Sequence, residues 1–321
     1  MNAKLITAIV VVIVIAASIS FAYAEEHKSK SQPSSITVVD DLGRNVTIRL
    51  PVTRVVSMDP SNTQMMYAIG AGNLLVADTS YDWWPANSTK LPHISMDNGT
   101  ASVEQVVSMD PNLVLATTIQ TSDFNIVNQL ASLNISVLVF EPQNITGIYR
   151  DMLTLGNATG HQEGALKEVN FMKSYLHGVE SNVTSYLNKT GQSKESLLYM
   201  MWSSPIYTAG PGSFIQNVLA DAGAYNIASN LNTSYPTIPI EDVVNDSPQA
   251  IIVDYNIPGL SNISWFTNGN QSELWNNITA IKTGQVLFFN QTESNWMNEP
   301  GPLTIYAVKT VAQFLYPKAF Q

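Results

Sequence analysis

The chain repeats itself, and this constrains its fold more than any other feature. Ser102–Thr117 reads SVEQVVSMDPNLVLAT and Pro239–Asp254 reads PIEDVVNDSPQAIIVD, an offset of 137 residues. Glu104 aligns with Glu241, Val106-Val107 with Val243-Val244, and Pro111 with Pro248. Each copy reads as a short helix, a proline break and a buried strand. A matching strand–helix unit precedes each copy. In the first half it is RVVSM followed by TQMMYAIGAG. In the second it is Leu197–Met201, the turn SSPIYTAGPG, then Ser213–Ala222 ending at Gly223. A duplicated strand–helix–strand plan requires crossover helices and parallel sheets. The fold class that follows is α/β, with two Rossmann-like lobes.

Local patterns fill in this frame. Ile36–Leu50 alternates apolar and polar residues around Asp41-Leu42-Gly43-Arg44, as a β-hairpin does. Arg54–Met58 is a short buried strand. Pro60 is expected to block helix there, leaving Ser61 or Asn62 to cap the following run, and Leu74–Ala77 completes a β-α-β unit. Between the halves, Leu166, Val169, Met172, Leu176, Val179, Val183 and Tyr186 recur at spacings of three and four. That stripe predicts one connecting helix of roughly 25 residues, or about 38 Å, a stiffer joint than paired loops. The expected organisation is an N-terminal lobe over 36–160, a connecting helix within 161–190 and a C-terminal lobe over 191–321.

Composition narrows the chemistry. The formal net charge is −10, from 15 Lys+Arg against 25 Asp+Glu, and only Arg44, Arg49, Arg54 and Arg150 are arginines. A phosphate-tracking nucleic-acid surface is thereby excluded. No cysteine is present, which removes disulfides, Cys-ligated zinc, iron–sulfur clusters, thiol catalysis and lipid attachment through an N-terminal cysteine. His27, His93, His161 and His177 show no metal-ligand spacing.

Leu5–Ala24 (LITAIVVVIVIAASISFAYA) is the one long apolar run. Two readings of 1–24 stay open. Ala22-Tyr23-Ala24 fits small-x-small cleavage of a signal peptide, and about 20 apolar residues also suffice for a membrane anchor. Either sends the remaining chain outside the cytoplasm, secreted or held at the outer face of the membrane. Residues 25–35 (EEHKSKSQPSS) read as a polar tether. Asn-x-Ser/Thr triplets start at Asn45, Asn87, Asn98, Asn134, Asn144, Asn157, Asn182, Asn188, Asn232, Asn245, Asn262, Asn270, Asn277 and Asn290. They suit either a glycosylated exterior or a polar, uncharged surface.

RVVSMDPSNTQMMYAIGAG, SVEQVVSMDPNLVLA, WSSPIYTAGPGSFIQNVLADAG, IPIEDVVNDSPQAIIVD and NEPGPLT occur in that order from about Ile36 to Phe320. As an ordered set they resemble the ABC-transporter solute-binding proteins for ferric siderophores, cobalamin and haem. The resemblance implies class III periplasmic-binding-protein architecture, two lobes on one rigid helix with ligand held between them. It implies a binding protein and not an enzyme, with no covalent cofactor. It also implies a permease whose arginines meet one glutamate on each lobe, here Glu104 and Glu241, and a cytoplasmic ATPase behind that permease. A monomer is expected.

Ligand candidates come from segments expected at strand ends: Ser61 and Asn62, Tyr81, Trp83 and Trp84 of the YDWWP loop, Trp202, Tyr207, Phe214 and Trp296. Aromatic residues in loops offer flat apolar area to a large ring system, although packing beneath their own loops explains them nearly as well. Anionic cargo calls for bidentate guanidinium partners, and no arginine falls on these segments. The expected ligand is therefore near-neutral and bulky, a cobalamin or a hydroxamate-type ferric siderophore, with haem ranked behind. Two alternatives belong to other classes. One is an extracellular hydrolase using Ser61, His93 and Asp97, for which no G-x-S-x-G elbow is present. The other is an anchored surface adhesin or sensor module.

Overall fold

A computed structural model describes residues 34–321 except 98–99, 119–124 and 270. The apolar segment 1–24, most of the tether, and the triplet asparagines Asn98 and Asn270 lie outside the described residues. Strands β1 (Ser35–Val39) and β2 (Asn45–Arg49) form the expected antiparallel hairpin, with Ile36 opposite Ile48. Asp40 fixes its turn by accepting from the Arg44 backbone N–H at 3.0 Å and from the Arg44 guanidinium.

The first sheet follows from β3 (Val55–Ser57), β4 (Leu75–Thr79), β5 (His93–Ile94), β6 (Leu113–Ala116) and β7 (Ser136–Val139). Its order is β5-β4-β3-β6-β7, and every pair is parallel. The central strands β3 and β6 are buried along their whole length, as continuous apolar runs are when helices cover both sheet faces. Helix α1 (Pro60–Ala68) follows β3 and corrects the expectation for Pro60. Pro60 occupies the first turn, where its missing N–H costs nothing, and the cap is Asp59, which accepts from the Ser61 backbone N–H at 2.9 Å. Helix α2 (Val103–Ser108) precedes β6, and α3 (Asn125–Ser132) crosses to β7.

Helix α4 (Ile145–Thr159) ends at Gly160 with φ of 77°, and α5 (Gln162–Thr190) then runs for 29 residues to Gly191 at φ 67°. At about 1.5 Å per residue α5 is about 43 Å long. Its buried stripe is Ala165, Val169, Met172, Val179 and Val183, whereas Leu166 is 52% exposed. The stripe passes through Ala165 because the backbones approach too closely for leucine. A Cβ on Gly156 would stand 2.7 Å from that of Ala165, and a Cβ on Gly164 would stand 2.0 Å from the Ile69 carbonyl oxygen.

The second sheet repeats the first. It comprises β8 (Ser196–Ser203), β9 (Ile206–Thr208), β10 (Tyr225–Asn226), β11 (Thr237–Ile238), β12 (Ala250–Val253) and β13 (Val286–Phe288). Strands β10, β8, β12 and β13 pair in that order and in parallel, as β4, β3, β6 and β7 do in the first half. The added feature is antiparallel: the outer half of β8 turns back as β9, and β9 pairs with β11. Helix α6 (Phe214–Asp221), capped by Ser213, corresponds to α1, and α7 (Ile240–Asp246) corresponds to α2. Three short helices, α8 (Ser264–Asn268), α9 (Ser272–Trp275) and α10 (Thr279–Thr283), lead to β13, and α11 (Gln291–Asn298) and α12 (Thr304–Leu315) finish the chain. One hydrophobic core threads both halves, from Met65, Met66 and Leu115 through Met172 and Val179 to Tyr199, Val218 and Val308. The architecture is two Rossmann-like lobes on one long helix.

Candidate functional site

Parallel strands of both sheets end at one cleft of about 410 Å³. From the first half come Asp59 and Ser61 after β3, Thr117 after β6, and Phe140, Glu141, Pro142 and Gln143 after β7. From the second come Met201 on β8, Gly212–Ile215 at the start of α6, Ser234, Tyr235, and Met297, Asn298 and Pro300 around the end of α11. This is where an open α/β sheet presents its adaptable loops. The volume lies in the range of small-molecule sites.

The walls are apolar and acidic. Phe140, Phe214, Tyr235, Met201 and Met297 give flat or polarisable surface, and the charged lining groups are Asp59 and Glu141. Among the described residues no Lys, Arg or His lines the cleft. Burial pushes the Asp59 carboxyl up to about 6, against the lowering effect of its Ser61 hydrogen bonds, and nearby Asp82 and Glu141 add to the rise. Glu141 accepts from the Thr118 hydroxyl at 2.8 Å and its backbone N–H at 3.3 Å, while its own N–H donates to Asp41 at 2.8 Å.

Glu299 ties the two halves together. Its carboxylate accepts from Trp83 Nε1 at 3.0 and 2.9 Å and from Gln64 Nε2 at 2.5 Å, both residues of the first half. Burial raises this carboxyl to about 8, with Asp59 and Asp82 contributing, so it holds a proton at neutral pH. On the other side Asp254, at the end of β12, accepts from the Tyr199 hydroxyl at 2.6 Å, Ser294 Oγ at 2.9 Å, Asn298 Nδ2 at 2.7 Å and the Asn256 N–H at 2.9 Å. That network fixes α11, and with it Met297 and Asn298, against the second sheet.

The sequence-selected residues separate into groups. Ser61 and Phe214 line the cleft, the latter only 7% exposed as the first residue of α6. Asn62 is fully buried and donates to the Ala116 carbonyl oxygen at 3.3 Å. Trp83 reaches Glu299, Trp84 is half-buried beside it in sequence, and Tyr81 stands exposed. Trp202 and Tyr207 face each other across the β8–β9 turn, each 41% exposed, beside a bulge that leaves Met201 unpaired. Trp296 packs its ring on Tyr306 at 5.4 Å against the shared core. Glu104 and Glu241 are exposed in the first turns of α2 and α7, the same place in each repeat. A hydrogen bond from Ser102 Oγ at 2.7 Å holds the Glu104 carboxyl below its usual range.

The hydrolase arrangement is not assembled. The Ser61 hydroxyl donates to Asp59, and His93 Nδ1 lies 2.6 Å from Asp78 on β4, so the two belong to separate pairs. The Asp97 side chain lies outside the described ones. Glu141, Phe140, Tyr235, Met297 and Glu299 were not singled out from sequence. The signal for the first two was available, since Phe140 and Glu141 directly follow an apolar strand in the topological slot where such loops meet ligands.

A two-lobed α/β molecule with its cleft at the strand ends of both sheets has the form of a solute-binding protein. The chain belongs to the periplasmic binding protein family, whose model matches residues 55–292. It is 26% identical over 296 residues to an uncharacterized ABC transporter substrate-binding lipoprotein, YvrC, of Bacillus subtilis, covering 92% of this chain and 90% of that one. It is 27% identical over 293 residues to a cobalamin-binding protein of Halobacterium salinarum, covering 89% and 76%. Among solved structures, the periplasmic vitamin B12 binding protein BtuF of Vibrio cholerae superposes with a TM-score of 0.68 at 22% identity, covering 84% of this chain and 99% of that one.

Proposed function

We propose that this chain is the extracytoplasmic substrate-binding component of an ABC importer, capturing cobalamin or a hydroxamate-type ferric siderophore between its lobes and delivering it to the permease. The observation that carries the choice of ligand is the charge of the cleft. Asp59 and Glu141 line it without a lining cation. A tricatecholate ferric complex or the propionates of haem would meet carboxylates where they need guanidinium groups, whereas a corrinoid or a neutral hydroxamate complex lays apolar and amide surface on Phe140, Phe214 and Tyr235. The similarity to a cobalamin-binding protein supports the same choice.

In this reading residues 1–24 direct the chain outward, as a cleaved signal or a retained anchor, and a monomer presents its lobes 36–160 and 191–321 to the permease. Glu104 and Glu241 supply one docking charge per lobe, and the cytoplasmic ATPase acts through the permease. Rim charges of this kind govern encounter and registration more than affinity.

Calorimetric titration of the purified chain with cyanocobalamin, a ferric trihydroxamate, a ferric tricatecholate and haemin tests the reading. Binding of either of the first two, with weaker or absent binding of the anionic pair, is expected. Preference for the catecholate or haemin refutes the charge argument, and silence with all four refutes the ligand class.

A further inference from the structure

We propose that this protein is N-glycosylated on its folded surface, at a subset of acceptor asparagines that the structure selects. The inference rests on the extracytoplasmic reading above. Twelve of the fourteen Asn-x-Ser/Thr asparagines are described, and every one of the twelve is exposed. Asparagines outside such triplets are not sorted this way: Asn62 and Asn226 are buried, and Asn112, Asn217 and Asn295 are half-buried. Eight further asparagines outside the triplets are exposed as well, so what the triplets add is that none of the twelve is drawn into the core. No triplet asparagine lines the cleft.

Local chemistry sets the acceptors apart. Glycan transfer forms a bond from asparagine Nδ2 to the anomeric carbon of a lipid-linked sugar. The bond from that carbon to the lipid phosphate oxygen breaks, the phosphate leaves with the electron pair, and the amide gives one proton to a base. The site must present Nδ2 and the hydroxyl at the third position together. At Asn144, Asn262 and Asn290 the side-chain oxygen accepts the backbone N–H of Gly147 at 2.9 Å, Ser264 at 3.0 Å and Glu293 at 3.0 Å. The oxygen is the helix-capping atom at Asn144 and Asn290 and closes a local turn at Asn262, so in each the nitrogen carries a sugar without loss of that bond. Asn87 lies exposed just before the short turn Ser88–Lys90, and Thr89, although it donates to the Ala86 carbonyl oxygen at 2.9 Å, keeps its hydroxyl at the surface.

Four triplets are closed. Ser136, third in the Asn134 triplet, is half-buried and donates to the Thr47 carbonyl oxygen at 2.9 Å, and Thr279, third in the Asn277 triplet, is half-buried with its hydroxyl 2.9 Å from that of Ser247. Thr159, third in the Asn157 triplet, is buried and donates to the Leu155 carbonyl oxygen at 2.8 Å. Ser247, third in the Asn245 triplet, is held by Thr279 through its hydroxyl at 2.9 Å and the Thr279 N–H at 3.0 Å. Asn245 also stands four residues after Glu241 on α7, hence on the same helix face. A sugar there would cover the docking charge, and its closure keeps that face bare.

The test is glycopeptide mass spectrometry on the full chain isolated from its native cells, with exposure to external protease recorded on the same cells. Sugar mass is expected on Asn87, Asn144, Asn262 and Asn290, with Asn134, Asn157, Asn245 and Asn277 unmodified. Thr146→Ala should abolish the mass on Asn144 and leave its cap and the protein's thermal midpoint intact, which Asn144→Gln would not separate. Bare asparagines on protease-accessible protein overturn the proposal while the location stands. Bare asparagines on protein shielded inside the cell overturn the location reading and the proposal with it. Modification of Asn134, Asn157, Asn245 or Asn277 at the level of the open sites overturns selection by the folded surface.

Discussion

Replacing Glu299 by glutamine removes a titration that links the two lobes, and the sign of its effect follows from the proton count. In the folded chain the Glu299 carboxyl is raised from 4.5 to about 8, chiefly by burial. Between those values the native state holds the proton more tightly than the unfolded chain does, so stability is fullest below pH 4.5 and falls as pH rises through about 8. The ceiling is about 1.4 kcal/mol per pH unit, or about 4 kcal/mol between pH 5 and pH 8. Water reaching a half-buried carboxyl lowers the expected loss to about 2 kcal/mol. Glutamine stays neutral throughout and keeps an oxygen to accept from Trp83 or Gln64. Urea unfolding at pH 5 and pH 8 should therefore show wild type losing about 2 kcal/mol more than Glu299→Gln over that interval. Asp59 and Asp78 are also raised by burial and remain in both proteins, so they cancel in the comparison to the extent that they titrate independently. Parallel stability curves for the two proteins would refute the assignment of a protonated Glu299 to the lobe contact.

Gly164→Ala should cost about 1–3 kcal/mol in urea unfolding, because the new methyl would fall 2.0 Å from the Ile69 carbonyl oxygen, a backbone atom with little freedom to retreat; an unchanged midpoint would show that α5 does not seat there. Asp254→Ala should cost about 3 kcal/mol by leaving the buried Tyr199 hydroxyl and its neighbours without their common acceptor, read in the same assay, and a loss below about 1 kcal/mol would show that water replaces the carboxylate. The double variant Glu104→Lys with Glu241→Lys should bind ligand as wild type does and fail to support uptake through the permease; normal uptake would remove both glutamates from the docking surface.

What the sequence made legible, and what it hid, follows from the range over which each feature is encoded. The parallel sheets could be read because each strand is a short apolar run beside its own helix, and because the same unit occurs twice. Pro60 was misjudged through a local rule applied at the wrong register: proline obstructs a helix interior but suits the first turn that Asp59 caps. Leu166 was misplaced because periodicity marks apolar residues, whereas the face of α5 is decided by a backbone approach that admits Ala165 and Gly164. The cleft was harder still. Glu141 and Glu299 sit far apart in the chain, and neither belongs to a periodic pattern. Glu141 reaches the cleft from the end of β7, and Glu299 reaches Trp83 and Gln64 of the other half from the end of α11. Trp296 illustrates the converse. Its aromatic character suggested a ligand platform, yet Tyr306 and the shared core take its ring while the next residue, Met297, meets the cleft. Residue type proposes a role, but the direction of a side chain from α11 follows from how that helix is anchored. The anchor is Asp254, one acidic residue at the end of a buried strand, holding Ser294 and Asn298 one helical turn apart. The repeat thus specifies two sheets, whereas the geometry of the cleft depends on single polar residues at their strand ends.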